Sequence, residues 1–234
     1  MTALMQALRA QLLPLPEVSR LSSLRRFTSV FSQGQPADAL YFIDEGLVKL
    51  TRTNDSGDRI ILTICGPGDL IGEEVMSAAS GVYQADAEVL TSATLYRIPR
   101  DTLRRVLIAN GEMAYAVIDF LLTRRRTLAQ KVELLCLHDV EHRILYYLAE
   151  LASLVNAGNS TDSYQLPLTQ AELADLVGAT RETTSTTLNQ LERRGLIKLS
   201  RRLLTIPAPS LLLNAAAAQT PAAQTQAAAS AKTA

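Results

Sequence analysis

Arg181 and Glu182 stand side by side directly after Thr180, a residue type that accepts hydrogen bonds from the first turn of a helix. A helix starting there presents both side chains at its tip, the end of a recognition helix that meets base edges in a DNA major groove. An arginine fork can bond guanine O6 and N7 together, and a carboxylate can accept from cytosine N4. Thr186, four residues after Glu182, joins this base-reading set: threonine can touch a thymine methyl but cannot fork onto guanine. The plainer alternatives are a glutamate that offsets the helix dipole and a solvated surface arginine.

The residues before this tip supply a partner helix. Leu173, Ala174, Leu176 and Val177 make an apolar stripe after Thr169, and Glu172 completes a T-x-x-E capping pattern. Gly178 provides the stop, while Leu188 and Leu191 give the second helix an inner face. Two short helices around a short turn are the requirements of a helix-turn-helix. Residues 196–200 and 203–206 then read as two strands around Arg201-Arg202, which makes a wing. Candidate phosphate contacts are the hydroxyls of Thr169, Thr180, Thr183 and Ser185 and the cations Arg193, Arg194, Lys198, Arg201 and Arg202. Such contacts fix position and confer salt dependence without carrying sequence information. The alternative for the cations is an ordinary solvated cluster.

Upstream elements must carry this reader. Residues 1 to about 23 read as helical in part, and from 27 to 99 short β-type runs alternate with glycine turns. Strands are expected at 40–43, 47–51, 59–64, 85–90 and 93–98, which argues for a small barrel or sandwich. From 113 to 137 the period lengthens to that of a helix, with Ala114, Ile118, Leu121, Leu128, Val132 and Leu135 at three- and four-residue steps and Arg125 interrupting. Ile118, Leu121, Leu128, Val132 and Leu135 are the expected seam with a second copy, the alternative being packing on the chain's own barrel. Asp139 then caps a helix through Ile144, Leu145, Leu148 and Leu151.

Composition narrows the function classes. The chain's 23 basic and 23 acidic residues cancel, which argues against a general nucleic-acid coat but leaves room for a local basic surface. Two cysteines, Cys65 and Cys136, build no disulfide framework and form no CxxC pair, so both are expected to be buried apolar residues. No metal cluster, nucleophile–base pair or phosphate loop stands out, so neither a cofactor nor an enzyme activity is expected. No run reaches transmembrane length and no signal-peptide layout is present, which predicts a cytoplasmic protein without a membrane partner. The Ala-, Gln- and Thr-rich residues 214–234 have no apolar periodicity and are expected to be disordered.

The ordered set Gly34, Leu40-Tyr-Phe-Ile-x-x-Gly46, Gly57, Gly68-Asp-Leu-Ile-Gly-Glu73, Asp139 and Arg181-Glu-Thr183 resembles the cyclic-AMP receptor protein and FNR family of transcription regulators, over about residues 20 to 207. The resemblance implies an α+β chain: an N-terminal cyclic-nucleotide-binding-like β-barrel (a jelly roll) over 1–109, a long dimerisation helix over 110–137, a C-terminal winged helix-turn-helix over 138–210, then the tail. It further implies a homodimer on a palindromic TGTGA-like site in double-stranded DNA, acting with RNA polymerase, its half-sites about 34 Å apart.

The sequence departs from the family pattern at the effector site. Gly72-Glu73 match the ribose-binding segment, but the family's phosphate-holding arginine–serine pair aligns with Tyr83-Gln84. The hydroxyl pair that contacts adenine aligns with Leu128-Ala129. A buried phosphate without its arginine is poorly compensated, so control by cyclic AMP is not expected. Cluster-type sensing needs more cysteines, and both histidines, His138 and His142, fall at the hinge instead of in the barrel, where they are either structural or sensory through titration near neutrality. Within Arg124-Arg125-Arg126, one or two side chains either line the barrel side and hold a small anion or are ion-paired and solvated. The candidate pocket is therefore Gly72, Glu73, Tyr83, Gln84, Arg124, Arg125, Leu128 and Ala129, for an effector other than cyclic AMP or for none. Some family members carry a second arginine where Thr186 stands, which implies a relaxed preference at one guanine. A reading from another class is a small-molecule sensor whose winged domain makes protein contacts in place of DNA contacts.

Overall fold

A computed structural model describes residues 8–77, 81–155, 164–200 and 204–207, in two compact units, Met1–Lys131 and Val132–Ala234. The first unit holds β1 (Ser19–Leu24), β2 (Ser29–Phe31), β3 (Ala39–Glu45), β4 (Val48–Thr53), β5 (Arg59–Cys65), β6 (Leu70–Ile71), β7 (Asp86–Val89) and β8 (Ala93–Pro99). They form two antiparallel four-stranded sheets, ordered β1-β8-β3-β6 and β2-β7-β4-β5. Phe31, Ile43, Val48, Leu50, Ala87, Val89 and Leu95 meet between the sheets.

β3 is apolar on both faces for a physical reason. Tyr41 and Ile43 point into the inter-sheet core, whereas Leu40 and Phe42 join a second cluster outside it. That cluster is completed by Leu8 and Leu12, by Leu103 of α1 (Arg100–Ala109) and by Met113 and Val117 of α2 (Gly111–Leu137). A strand covered on both sides reads as a continuous hydrophobic run. The corner after β3 is tight. Gly46 has φ +84°, and a Cβ there would sit 2.3 Å from the Ser92 carbonyl oxygen and 2.7 Å from the Ala93 Cα.

Met113, Val117 and Lys131 of α2 are buried, and Lys131 Nζ donates to the Ile61 carbonyl at 2.7 Å. A different row of the same helix, Ile118, Leu121, Leu128 and Val132, is exposed. Among the described residues, no single helix is long and apolar enough to cross a membrane.

The second unit contains α3 (Val140–Val155), β9 (Tyr164–Leu166), α4 (Gln170–Val177), α5 (Arg181–Arg193), β10 (Lys198–Leu199) and β11 (Leu204–Ile206). Its sheet runs β10-β11-β9. Leu145, Leu148, Leu173, Leu188, Leu191, Ile197 and Ile206 are buried here.

Several expectations need correction. Of the stretch expected to be helical in part, residues 8–11 are helical, whereas 19–24 are a strand that pairs with β8. Cys65 is buried, but Cys136 is exposed near the end of α2. Leu135 is half-buried and does not share the exposure of the other proposed seam residues, because its Cδ2 lies against the Gly178 turn. The wing carries a third strand, β9, that the sequence pattern did not reveal. Arg201, Arg202 and the 211–234 tail lie outside the described residues.

Candidate functional site

Local capping builds the helix-turn-helix. Thr169 accepts from the Glu172 backbone N–H at 3.1 Å, and Glu172 Oε2 accepts from the Thr169 N–H at 3.0 Å, so two free donors at the start of α4 are satisfied reciprocally. Gly178 ends α4 at φ +64°. Thr180 Oγ1 accepts from the Thr183 N–H at 3.2 Å and starts α5, with Arg181 as its first residue.

The turn is held from two sides within this unit. Arg143 of α3 donates through Nη1 to the carbonyls of Val177 at 2.7 Å and Gly178 at 3.3 Å. These carbonyls are among those a helix end leaves free, and a cation there also suits the helix dipole. A Cβ on Gly178 would come within 2.8 Å of Leu135 Cδ2. The position of α5 is thereby fixed by packing and by charge.

Thr184, Thr187, Leu188 and Leu191 bury one face of α5. Arg181, Glu182, Thr183 and Thr186 are exposed on the other, and Ser185 is half-buried between the two faces. Asn189 and Arg193 continue the exposed face. Asn189 joins the base-reading set on the 182–186–189–193 spacing, and an asparagine amide can pair with adenine N6 and N7. Thr180 and Thr183 hydroxyls are 2.9 Å apart, so each is partly occupied by the other. Lys198 is exposed on the wing. Arg194 is a correction: its Nη1 lies 2.5 Å from Glu141 Oε1, so it ties α5 to α3 and is not free for phosphate. Glu192 likewise turns inward, accepting from the Leu199 N–H at 2.7 Å.

His138 and His142 stack with ring centroids 4.0 Å apart. His142 is buried, and its Nδ1 has no hydrogen-bond partner among the described residues. Burial holds its pKa below the ordinary 6.5, the neighbouring His138 lowers it further, and Asp139 opposes both. A folded state that resists protonation is stabilised above the unfolded value and loses that stability as pH falls through the folded one. The second unit is therefore expected to melt lower as pH drops below 6.5, and His142→Gln to flatten that slope in a pH series of thermal melts.

Tyr83, assigned from sequence to the effector pocket, packs inward. Tyr83 is 2% exposed and stacks on Phe31 with centroids 4.0 Å apart. β3 pairs with β6 only at Tyr41 and Phe42, so Ala39 lies beyond that ladder. There the Tyr83 hydroxyl donates to the Ala39 carbonyl at 2.8 Å and accepts from its N–H at 3.2 Å. Gly72, at φ +83°, faces the same ring: a Cβ would lie 3.0 Å from Tyr83 Cε1. Tyr83 thus belongs to the core of the first unit. Gln84 is exposed, its N–H donating to Glu74 Oε1 at 3.1 Å.

Of the arginine run, Arg124 turns to the barrel. Its Nη atoms donate to Cys65 Sγ at 3.4 Å, and its Nε is 3.8 Å from Glu73 Oε1. Burial pushes the Glu73 carboxyl up, with Arg124 pulling against it. Burial also pushes the Cys65 thiol up to about 12. Arg125, Leu128 and Ala129 are exposed instead.

A β-barrel of the effector type and a winged helix-turn-helix with a polar recognition face define a DNA-binding transcription regulator. Residues 21–110 match the cyclic nucleotide-binding domain, and residues 142–215 match the Crp-like helix-turn-helix domain. The chain is 33% identical over 172 residues to the CRP-like cAMP-activated global transcriptional regulator of Mycobacterium tuberculosis, covering 73% of this chain and 76% of that one. Among solved structures, a CRP-family transcriptional regulator from Thermus thermophilus superposes with a TM-score of 0.71 at 25% identity, covering 85% of this chain and 96% of the other. The c-di-GMP responsive global regulator CLP of Xanthomonas campestris gives 0.70 at 25%, covering 81% and 94%. The chain belongs to the cyclic-AMP receptor protein and FNR family of transcription regulators, which are not enzymes.

Proposed function

We propose that this regulator works as a homodimer on a palindromic TGTGA-like site without requiring cyclic AMP. In this reading 1–109 is the effector-like domain, 110–137 the dimerisation helix and 138–210 the DNA-binding domain. The observation that carries DNA reading is the two-faced α5: Arg181, Glu182 and Thr186 are exposed together while Thr184, Thr187, Leu188 and Leu191 anchor the opposite side. Arg181 would fork onto guanine, Glu182 would accept from cytosine, and Thr186 would contact a thymine methyl. Thr169, Thr180, Thr183, Ser185 and Lys198 would meet phosphates. The exposed row Ile118, Leu121, Leu128 and Val132 supports pairing with a second copy, since an apolar stripe on a long helix is stabilised by a twin. RNA polymerase is the partner expected once the dimer is on DNA.

Independence from cyclic AMP rests on Tyr83. The relatives' names carry different signals, cAMP in one and c-di-GMP in the other, so likeness alone assigns neither to this chain. Here the corner that would receive a cyclic phosphate holds a buried ring, hydrogen-bonded to Ala39 and stacked on Phe31. A gel-shift with a palindromic TGTGA-type duplex is expected to give the same specific complex with and without saturating cyclic AMP. A marked gain with the nucleotide refutes the independence, and no specific complex in either condition refutes the reading as a whole.

A further inference from the structure

We propose that the groove between the Gly68–Asp69 turn and the N-terminal half of α2 is a binding site for a small organic cation, an ammonium group carried on an aromatic or apolar body. The groove encloses about 720 Å³, within the range of small-molecule sites. Its apolar wall is Tyr115, Ala116 and Phe120, and its charged groups are Asp69, Glu112, Asp119 and Arg124. It is separate from the Tyr83 corner, and its row Asp119–Thr123–Thr127 on α2 is not the exposed apolar row of Ile118, Leu121, Leu128 and Val132.

The charge balance selects the ligand. Arg124 already faces Glu73, which is not part of the groove, and its Nη atoms are directed at Cys65. Three carboxylates therefore remain against one guanidinium whose charge is shared elsewhere. Asp69 accepts the Gly66 N–H at 2.8 Å, but burial still pushes its carboxyl up, and Arg124 offsets this only in part. A bound anion would meet repulsion, and a neutral molecule would desolvate carboxylates without a counter-charge. An ammonium ion supplies that charge, and the exposed Tyr115 ring offers a face to a cation.

The test is a calorimetric titration of the full-length chain with phenethylammonium, with phenylacetate and phenethyl alcohol as the anionic and neutral counterparts. Saturable binding of the ammonium at about one per chain is expected, with a Kd in the ~0.1–1 mM range and neither counterpart competing at equal concentration. Asp119 is exposed on α2, so Asp119→Asn should keep the fold, checked by its melting temperature. It should weaken binding about tenfold or more, the loss expected for a hydrogen bond to a charged group. Absence of saturable binding, equal binding of phenylacetate, or unchanged affinity in folded Asp119→Asn each overturns the proposal. DNA binding does not enter the readout, so these outcomes are independent of the function proposed above.

Discussion

Replacing Arg181 by Ala is expected to abolish the preference for one guanine in each half-site while leaving the protein folded. Arg181 is the first residue of α5, exposed, and the Thr180 cap does not depend on its side chain. A bidentate arginine–guanine pair discriminates by about 1–3 kcal/mol, or roughly 5- to 150-fold per half-site. In competition gel-shifts the variant should bind the TGTGA-type duplex and a duplex altered at that guanine equally well. Lys198→Ala is the contrast: it should weaken all duplexes alike and lower the salt slope by about one for each phosphate no longer neutralised. If the two variants behave identically, the division between base reading and phosphate contact is wrong.

The largest stability effect is expected at Gly46. A non-glycine residue in the left-handed region costs about 1–2 kcal/mol by itself. At Gly46 the new Cβ would also stand 2.3 Å from a backbone oxygen and 2.7 Å from a Cα, neither of which can swing aside as a side chain can. Overpacking of this kind adds about 1–3 kcal/mol. Gly46→Ala should therefore destabilise the barrel by about 3 kcal/mol or more in denaturant titrations. Gly57 separates the two causes. Its φ is +86°, but nothing lies within 4 Å of its would-be Cβ, so Gly57→Ala should show the conformational cost alone. Equal losses at the two positions would mean that the β3–β4 corner relaxes freely.

How far the sequence could be read follows the range of each interaction. The Thr169–Glu172 capping box and the Gly178 stop are set by residues three or four apart, and the pattern revealed them. The same holds for the two-faced α5, where helical spacing alone separates Thr186 from Leu188. What stayed hidden depends on partners distant in the chain. The β9 strand exists because β11 pairs with it from about forty residues away. Arg194 reads as a free cation in sequence because its partner, Glu141, lies fifty-three residues earlier. Tyr83 is legible as a departure from the family pattern, but its burial depends on Phe31 and Ala39, contributed by two strands distant in the chain. Leu135 fits an apolar helix row equally well whether it meets a second copy or, as found, the Gly178 turn.

The Tyr83 stack also bears on how regulators of this kind change their signals. An arginine at position 83 would give up the ring contact with Phe31 and both hydrogen bonds to the Ala39 backbone before any anion arrived to compensate it. Conversely, a tyrosine placed into an open phosphate site would have to find such a stack ready to receive it. Exchange of Tyr83 for an arginine is therefore expected to weaken this barrel unless neighbouring core positions change with it.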